Sequence, residues 1–257
     1  MLHFGEHFFI GQQLFGKQLD HITKAFEGDA GAMNGLWASD ANALLVSHDL
    51  RAPLRAITGY SNVLREDCGV DLPAVAQKHL EKIGRNAERM EQLVNDVLTF
   101  SRVGRADLQL RPISLQEFIE DVREQSSLMQ EPVSEMTIAT PHTVMADDAP
   151  LGQAISNLLT NAVKFVAQGT KPVVRIRSEQ IQQHVRLWVE DSGIGIAPQY
   201  RKQLFGMFQR LPAKKNYEGT GIGLAIVRKA VERMGGSVGM EANEPAGCRF
   251  WIELKGP

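Results

Sequence analysis

Four short stretches carry residues able to do chemistry together. His48 stands beside Asp49 in Ser47-His48-Asp49-Leu50-Arg51-Ala52-Pro53-Leu54. A neutral imidazole can act as a nucleophile, and a carboxylate beside it can orient the ring. Asn157 and Asn161 are spaced to share one helix face, with Lys164 beside that polar row. Two amide oxygens suit a hard divalent cation, and an ammonium suits phosphate. Asp191 closes an alternating run, and Gly193 and Gly195 after it let backbone approach a flat ring. Gly219-Thr220-Gly221-Ile222-Gly223-Leu224 leads directly into a helical pattern, where small residues leave N–H groups able to meet phosphate. This run is neither the dinucleotide fingerprint nor a P-loop. Each stretch also has a plainer reading: a solvated His–Asp pair, a polar helix face in water, or a tight turn.

The elements that must position these residues follow from hydrophobic spacing. A helix is expected from Ser39 or Asp40 to about Asp67, with Leu50, Leu54, Ile57, Ser61 and Leu64 along its seam. His48 falls roughly 160° from Leu50 and about 120° from Leu54 around that helix, off the packed stripe. Pro53 inside the helix costs about 3 kcal/mol, which suggests local geometry with a purpose. A turn at 68–73 leads to a second helix ending near Arg102, with the seam Ala76, Leu80, Ile83, Ala87, Met90, Val94 and Val97. One such antiparallel hairpin cannot bury its whole stripe. Two of them, from two chains, make a four-helix bundle, so an obligate homodimer through residues 40–103 is expected.

Beyond a polar linker at 104–112, a second domain reads as α/β over 113–257. Helices are expected at 114–128, 150–167, 199–208 and 223–234. Strands are expected at 137–139, 143–145, 173–178, 184–190, 237–241 and 248–254. Residues 1–37 read as an interrupted helical lead-in or the remnant of an input segment.

The bulk properties limit the function classes. The chain has 257 residues, room for about two domains. A net charge of −2 gives no global case for nucleic acid or membrane binding. The two cysteines, Cys68 and Cys248, have no metal-ligand spacing, which fits a reduced, cytoplasmic protein. No apolar run is long enough for a membrane span, and the N-terminus does not read as a signal peptide.

Taken together, the stretches resemble sensor histidine kinases of two-component systems, most closely those attached to phytochrome-type or PAS sensors. Ser47–Leu54 resembles the phospho-acceptor box. Asn157-Leu158-Leu159-Thr160-Asn161-Ala162-Val163-Lys164-Phe165 resembles the asparagine box of the ATP-binding domain, and 190–198 and 219–225 resemble its two glycine boxes. The resemblance implies a helical hairpin, dimeric as a four-helix bundle, followed by an α/β two-layer sandwich that binds ATP. It implies ATP-dependent phosphorylation of His48 assisted by Asp49, then phosphoryl transfer to an aspartate of a response-regulator receiver domain in a separate protein. It assigns Mg²⁺ to Asn157 and Asn161, phosphate contacts to Lys164 and Arg210, and the adenine amino group to Asp191.

Gly193, Gly195, Phe165, Gly219, Thr220, Gly221, Gly223 and Leu224 complete the implied nucleotide site. Residues 204–218 read as a lid anchored by Phe205 and Phe208, with Lys214 and Lys215 more simply surface residues. Gly247-Cys248-Arg249-Phe250 keeps only part of a last glycine box and is given no ligand role. Residues 1–37 are too short for a recognisable sensor domain, so the upstream sensor is expected to be absent or truncated. Ala52, one turn after His48, lacks the polar group that bifunctional members carry there, so weak phosphatase activity is expected. An ATPase or clamp of the same superfamily, and a non-catalytic dimeric scaffold, remain the alternatives.

Overall fold

The structure, a computed structural model, describes residues 40–69, 71–105, 107–125, 135–209, 219–244 and 246–257, with side chains from Arg51 onward. The lead-in at 1–37 and the lid residues Arg210, Lys214 and Lys215 lie outside the described residues. Two compact units divide between Glu91 and Gln92.

Helix α1 (Asp40–Cys68) and helix α2 (Ala74–Arg105) are the two long helices expected from the periodicity. α1 continues through Pro53 as one helix. Between them the chain reverses tightly. The N–H groups of Asp71 and Leu72 both donate to the Cys68 carbonyl at 3.0 Å. Gln77 Nε2 donates to the carbonyls of Gly69 (2.5 Å) and Leu72 (3.1 Å), fixing the turn against the start of α2. Arg55 on α1 donates to Glu91 on α2 at 3.2 Å, so the helices fold back as a hairpin.

The seam splits in two. Leu54, Ser61 and Ala87 are buried, whereas Ile57, Leu64, Ile83 and Met90 are 39–47% exposed. Spacing identifies which residues face a partner. It does not say whether one chain supplies enough partner to cover them.

The last turns of α2 pack into the second unit. Val103 is buried in its core, with Leu93, Val97 and Phe100 against it. Val97, expected on the hairpin seam, therefore serves the sandwich core instead. The helix runs to Arg105, and a strand β1 (Arg111–Ser114) follows, so the linker is shorter than its polar composition suggested. Asp147 ties this crossing down: its carboxylate accepts the N–H of Gln109 at 2.8 Å and caps the next helix by accepting from Ala149 at 3.1 Å.

The sandwich places helices α3 (Leu115–Gln125), α4 (Asp148–Lys164) and α5 (Gly223–Arg233) over a five-stranded mixed sheet. The sheet order is β2 (Glu135–Ala139), β4 (Val173–Ile181), β5 (His184–Asp191), β7 (Cys248–Lys255), β6 (Ser237–Ala242). Only the β2–β4 pair is parallel. A separate two-stranded sheet joins β1 to β3 (Thr143–Ala146). Alternation drives one face of each strand inward: Ile176, Leu187, Ile252 and Leu254 meet Leu151, Ile155 and Leu158 of α4 and Ile226 and Val231 of α5 in one core. On the outer face, Trp188 is only 4% exposed because Arg177, Arg186 and Arg249 stack around its ring at 4.9, 5.6 and 5.5 Å.

Two expected helices are shorter. α4 ends at Lys164 instead of Ala167, because the Phe165 carbonyl turns away to accept the N–H of Ile194 at 3.0 Å. The expected helix at 199–208 is a 3₁₀ turn over Pro198–Gln203, and Phe208 takes a φ of +58°, which no helix continues through.

Leu158→Ala removes a side chain that is 1% exposed at the centre of this core. It is expected to lower unfolding free energy by about 2–5 kcal/mol in urea titration. A loss below about 1 kcal/mol would contradict the packing described.

Candidate functional site

The asparagine face of α4 and the glycine run before α5 are distant in sequence and adjacent in space. Asn157 Nδ2 donates to the Gln153 carbonyl at 2.8 Å, which turns its Oδ1 the other way. A β-carbon at Gly223 would lie 2.8 Å from that Oδ1. At Gly219 a β-carbon would lie 3.1 Å from Lys164 Nζ. The turn therefore lies along the Asn157–Lys164 side of α4, close enough that a β-carbon at Gly223 would press on Asn157. Asn161, on the same helix face, is half-buried.

The start of α5 is prepared for an anion. Its first turn holds no acidic residue, and Ile222 at the N-cap offers no capping side chain. Gly221 takes a φ of +78°, turning the backbone into the helix. Thr220 is buried. Its hydroxyl accepts the N–H of Ile222 at 3.4 Å and donates to the Asp96 carboxylate of α2. Leu224 is half-buried against the core and anchors the helix start.

Asp191 ends β5 and is 7% exposed. Its Oδ1 accepts from the N–H groups of Gly193 (2.8 Å) and Cys248 (3.1 Å). Its own carbonyl accepts from Asn243 Nδ2 at 3.0 Å. A buried carboxylate needs such donors. A β-carbon at Gly193 would collide with the Phe165 carbonyl, and one at Gly247 with the Asp191 carbonyl. Gly195, at φ +65°, passes beside the Gly247 backbone. The end of α4, the first glycine run and the residues Asn243, Gly247 and Cys248 thus close around one aspartate.

Sequence reasoning did not single out Asn243 or Asp96, and it gave Gly247 and Cys248 no role. Cys248 stands next to Asp191 because β7 pairs with β5 in the register Glu190↔Arg249. That register is invisible in composition, although a glycine immediately before a strand was a usable signal. Phe205 packs edge-on against Phe250 at 6.4 Å, and Phe205 and Phe208 both rest on the core, as expected of anchors. His48 and Asp49 fall on α1, within the first unit, and their side chains lie outside the described residues, as does Arg210. The second unit thus sets an amide oxygen and an ammonium beside the glycine turn before α5, and pins a carboxylate at the end of β5.

Comparison with known proteins gives the same two parts. Residues 45–106 match the His Kinase A (phospho-acceptor) domain, and residues 146–257 match the histidine kinase-, DNA gyrase B- and HSP90-like ATPase family. Cyanobacterial phytochrome B of Nostoc sp. is 34% identical over 219 residues, covering 84% of this chain and 29% of that protein. The chain thus spans less than a third of that relative's length. The structure of full-length ShkA in complex with AMPPNP has a TM-score of 0.61 at 30% identity, covering 85% of this chain and 47% of that one. The mycobacterial sensor histidine kinase MprB has a TM-score of 0.51 at 31% identity, covering 57% of this chain and 98% of that one. With an acceptor-type hairpin and an ATPase-type sandwich in succession, the chain belongs to the sensor histidine kinases of two-component systems.

Proposed function

We propose that this chain phosphorylates His48 from ATP and passes the phosphoryl group to an aspartate of a receiver domain in a separate response regulator. The observation that carries the reading is the close approach of the Gly219–Gly223 turn to Asn157 and Lys164. That approach brings phosphate-binding backbone, an amide oxygen and an ammonium to one place. The complex of the related ShkA with AMPPNP supports a nucleotide at this site.

Asp191 accepts the adenine amino group, and Gly193 and Gly195 shape the slot for the ring beside Phe165. The N–H groups of Gly219 to Leu224 receive the phosphates, with Lys164 and Arg210 adding charge. Asn157 and Asn161 hold Mg²⁺ through their amide oxygens. Bound there, the cation would take oxygens from these amides and from the nucleotide. When bound, the cation neutralises charge on the phosphate oxygens. His48 Nε2 forms the new N–P bond as the bond from the γ-phosphorus to its bridging oxygen breaks, and ADP leaves. Asp49 accepts the Nδ1–H hydrogen bond and supports the positive charge growing on the ring. Positioning and electrostatics do most of the work in such a transfer.

The exposed Ile57, Tyr60, Leu64, Ile83 and Met90 support a homodimer closed as a four-helix bundle. No described helix is long and apolar enough to cross a membrane, and dependence on ATP fits a cytoplasmic setting.

Incubation with γ-labelled ATP and Mg²⁺ is expected to give acid-labile, alkali-stable label that His48→Ala abolishes. Phosphate release without label would indicate an ATPase instead, and neither product would indicate a scaffold. In sedimentation analysis the unaltered chain is expected to be dimeric and Ile83→Lys to shift it towards monomer. A monomeric unaltered chain would refute the bundle. Ala52 is exposed on α1 and offers no polar group to a hydrolytic water. Incubated with a phosphorylated receiver, the unaltered kinase is expected to remove phosphate weakly, and vigorous removal would overturn that reading.

A further inference from the structure

Asp96, Phe100 and Val103 are spaced to share one face of α2, and all three touch the glycine turn or α5. The Asp96 carboxylate accepts from the Thr220 hydroxyl. Its second oxygen accepts from Gln92 Nε2 at 2.7 Å, one turn back on the same helix, which aims the group. Further along, Lys229 Nζ lies 5.9 Å from the centre of the Phe100 ring. Arg233 Nη1 donates to the Val103 carbonyl at 3.3 Å. The face thus grips the turn and the length of α5 behind it. Of these contacts, only the one at Thr220 sets a carboxylate against the turn whose N–H groups are prepared for an anion.

We propose that the Asp96–Thr220 hydrogen bond is a charge-sensitive latch: it holds the glycine turn against α2 and gives way when nucleotide phosphates enter the turn. The inference rests on the nucleotide reading above. Thr220 sits within the turn itself, and its hydroxyl is already tied to the N–H of Ile222. A phosphate drawn to those N–H groups comes within a few residues of the Asp96 carboxylate. Two like charges at that range repel, and the half-buried setting of Asp96 beside buried Thr220 leaves that repulsion only partly screened. The contacts at Phe100 and Val103 carry no negative side chain and would not resist the anion. Asp96 is therefore a positioning residue, since it reaches the nucleotide site only through Thr220. The result is a cradle that loosens from the last turns of α2 when it is loaded.

The test uses the full chain carrying Cys68→Ser with Phe100→Cys and Lys229→Cys, joined by a short bismaleimide and read by mass spectrometry. This pair leaves Asp96 and Thr220 intact. A non-hydrolysable ATP analogue with Mg²⁺ is expected to slow cross-linking by about fivefold or more. Adding Asp96→Asn, which keeps a hydrogen-bond acceptor and removes the charge, is expected to abolish that slowing. Equal cross-linking with and without nucleotide overturns the latch. So does slowing that survives Asp96→Asn, because the cause would then be steric. Nucleotide affinity is measured in parallel with a fluorescent ATP. Failure of the unaltered chain to bind it overturns the nucleotide-site reading and the latch together, whereas binding with unchanged cross-linking overturns the latch alone. Should the cysteine pair not fold, Asp96→Asn alone decides: it is expected to bind ATP about threefold or more tightly than the unaltered chain. Unchanged or weaker binding overturns the proposal.

Discussion

The site depends on close approaches at glycines, two of them against backbone that leaves no room for a β-carbon. At Gly223 and Gly219 the turn meets Asn157 and Lys164 where a β-carbon would intrude. At Gly193 and Gly247 the backbone meets the Phe165 and Asp191 carbonyls where a β-carbon would collide. These approaches join segments from α4, β5, β7 and the start of α5, and no single element could make the site alone. The hydrophobic core beneath is what holds the backbones at that separation. Close-packed interiors do not relax by fractions of an ångström without cost.

The helices and the site's glycines were legible in the sequence because both are local properties. Periodicity marked α1 and α2 to within a few residues of their bounds, and the polar row at Asn157 and Asn161 announced its own face. Strand register was not legible, so Cys248 could not be placed beside Asp191. Nor could spacing reveal which body a helical stripe serves. Val97 follows the same repeat as Ala87, yet one packs on the sandwich and the other is buried in the hairpin's own unit. Polar composition likewise hid Asp147, whose two hydrogen bonds turn part of an apparent linker into a braced crossing.

The two units answer burial differently. The sandwich buries most of its large apolar groups within its own chain, and its largest core side chains fall below 2% exposure. The hairpin leaves a row of them open, Tyr60 at 72%. The first arrangement closes a core within its own chain. The second is a surface that asks for another molecule.

The ring of Trp188 beneath three guanidinium groups has a consequence for how that catalytic body lives in water. A sheet with helices on one side ordinarily has a second oily face to hide. Here the stacked arginines, paired with Glu190, Glu253 and Glu241, roof that face with charge. The outer face of the sheet therefore meets water as charge.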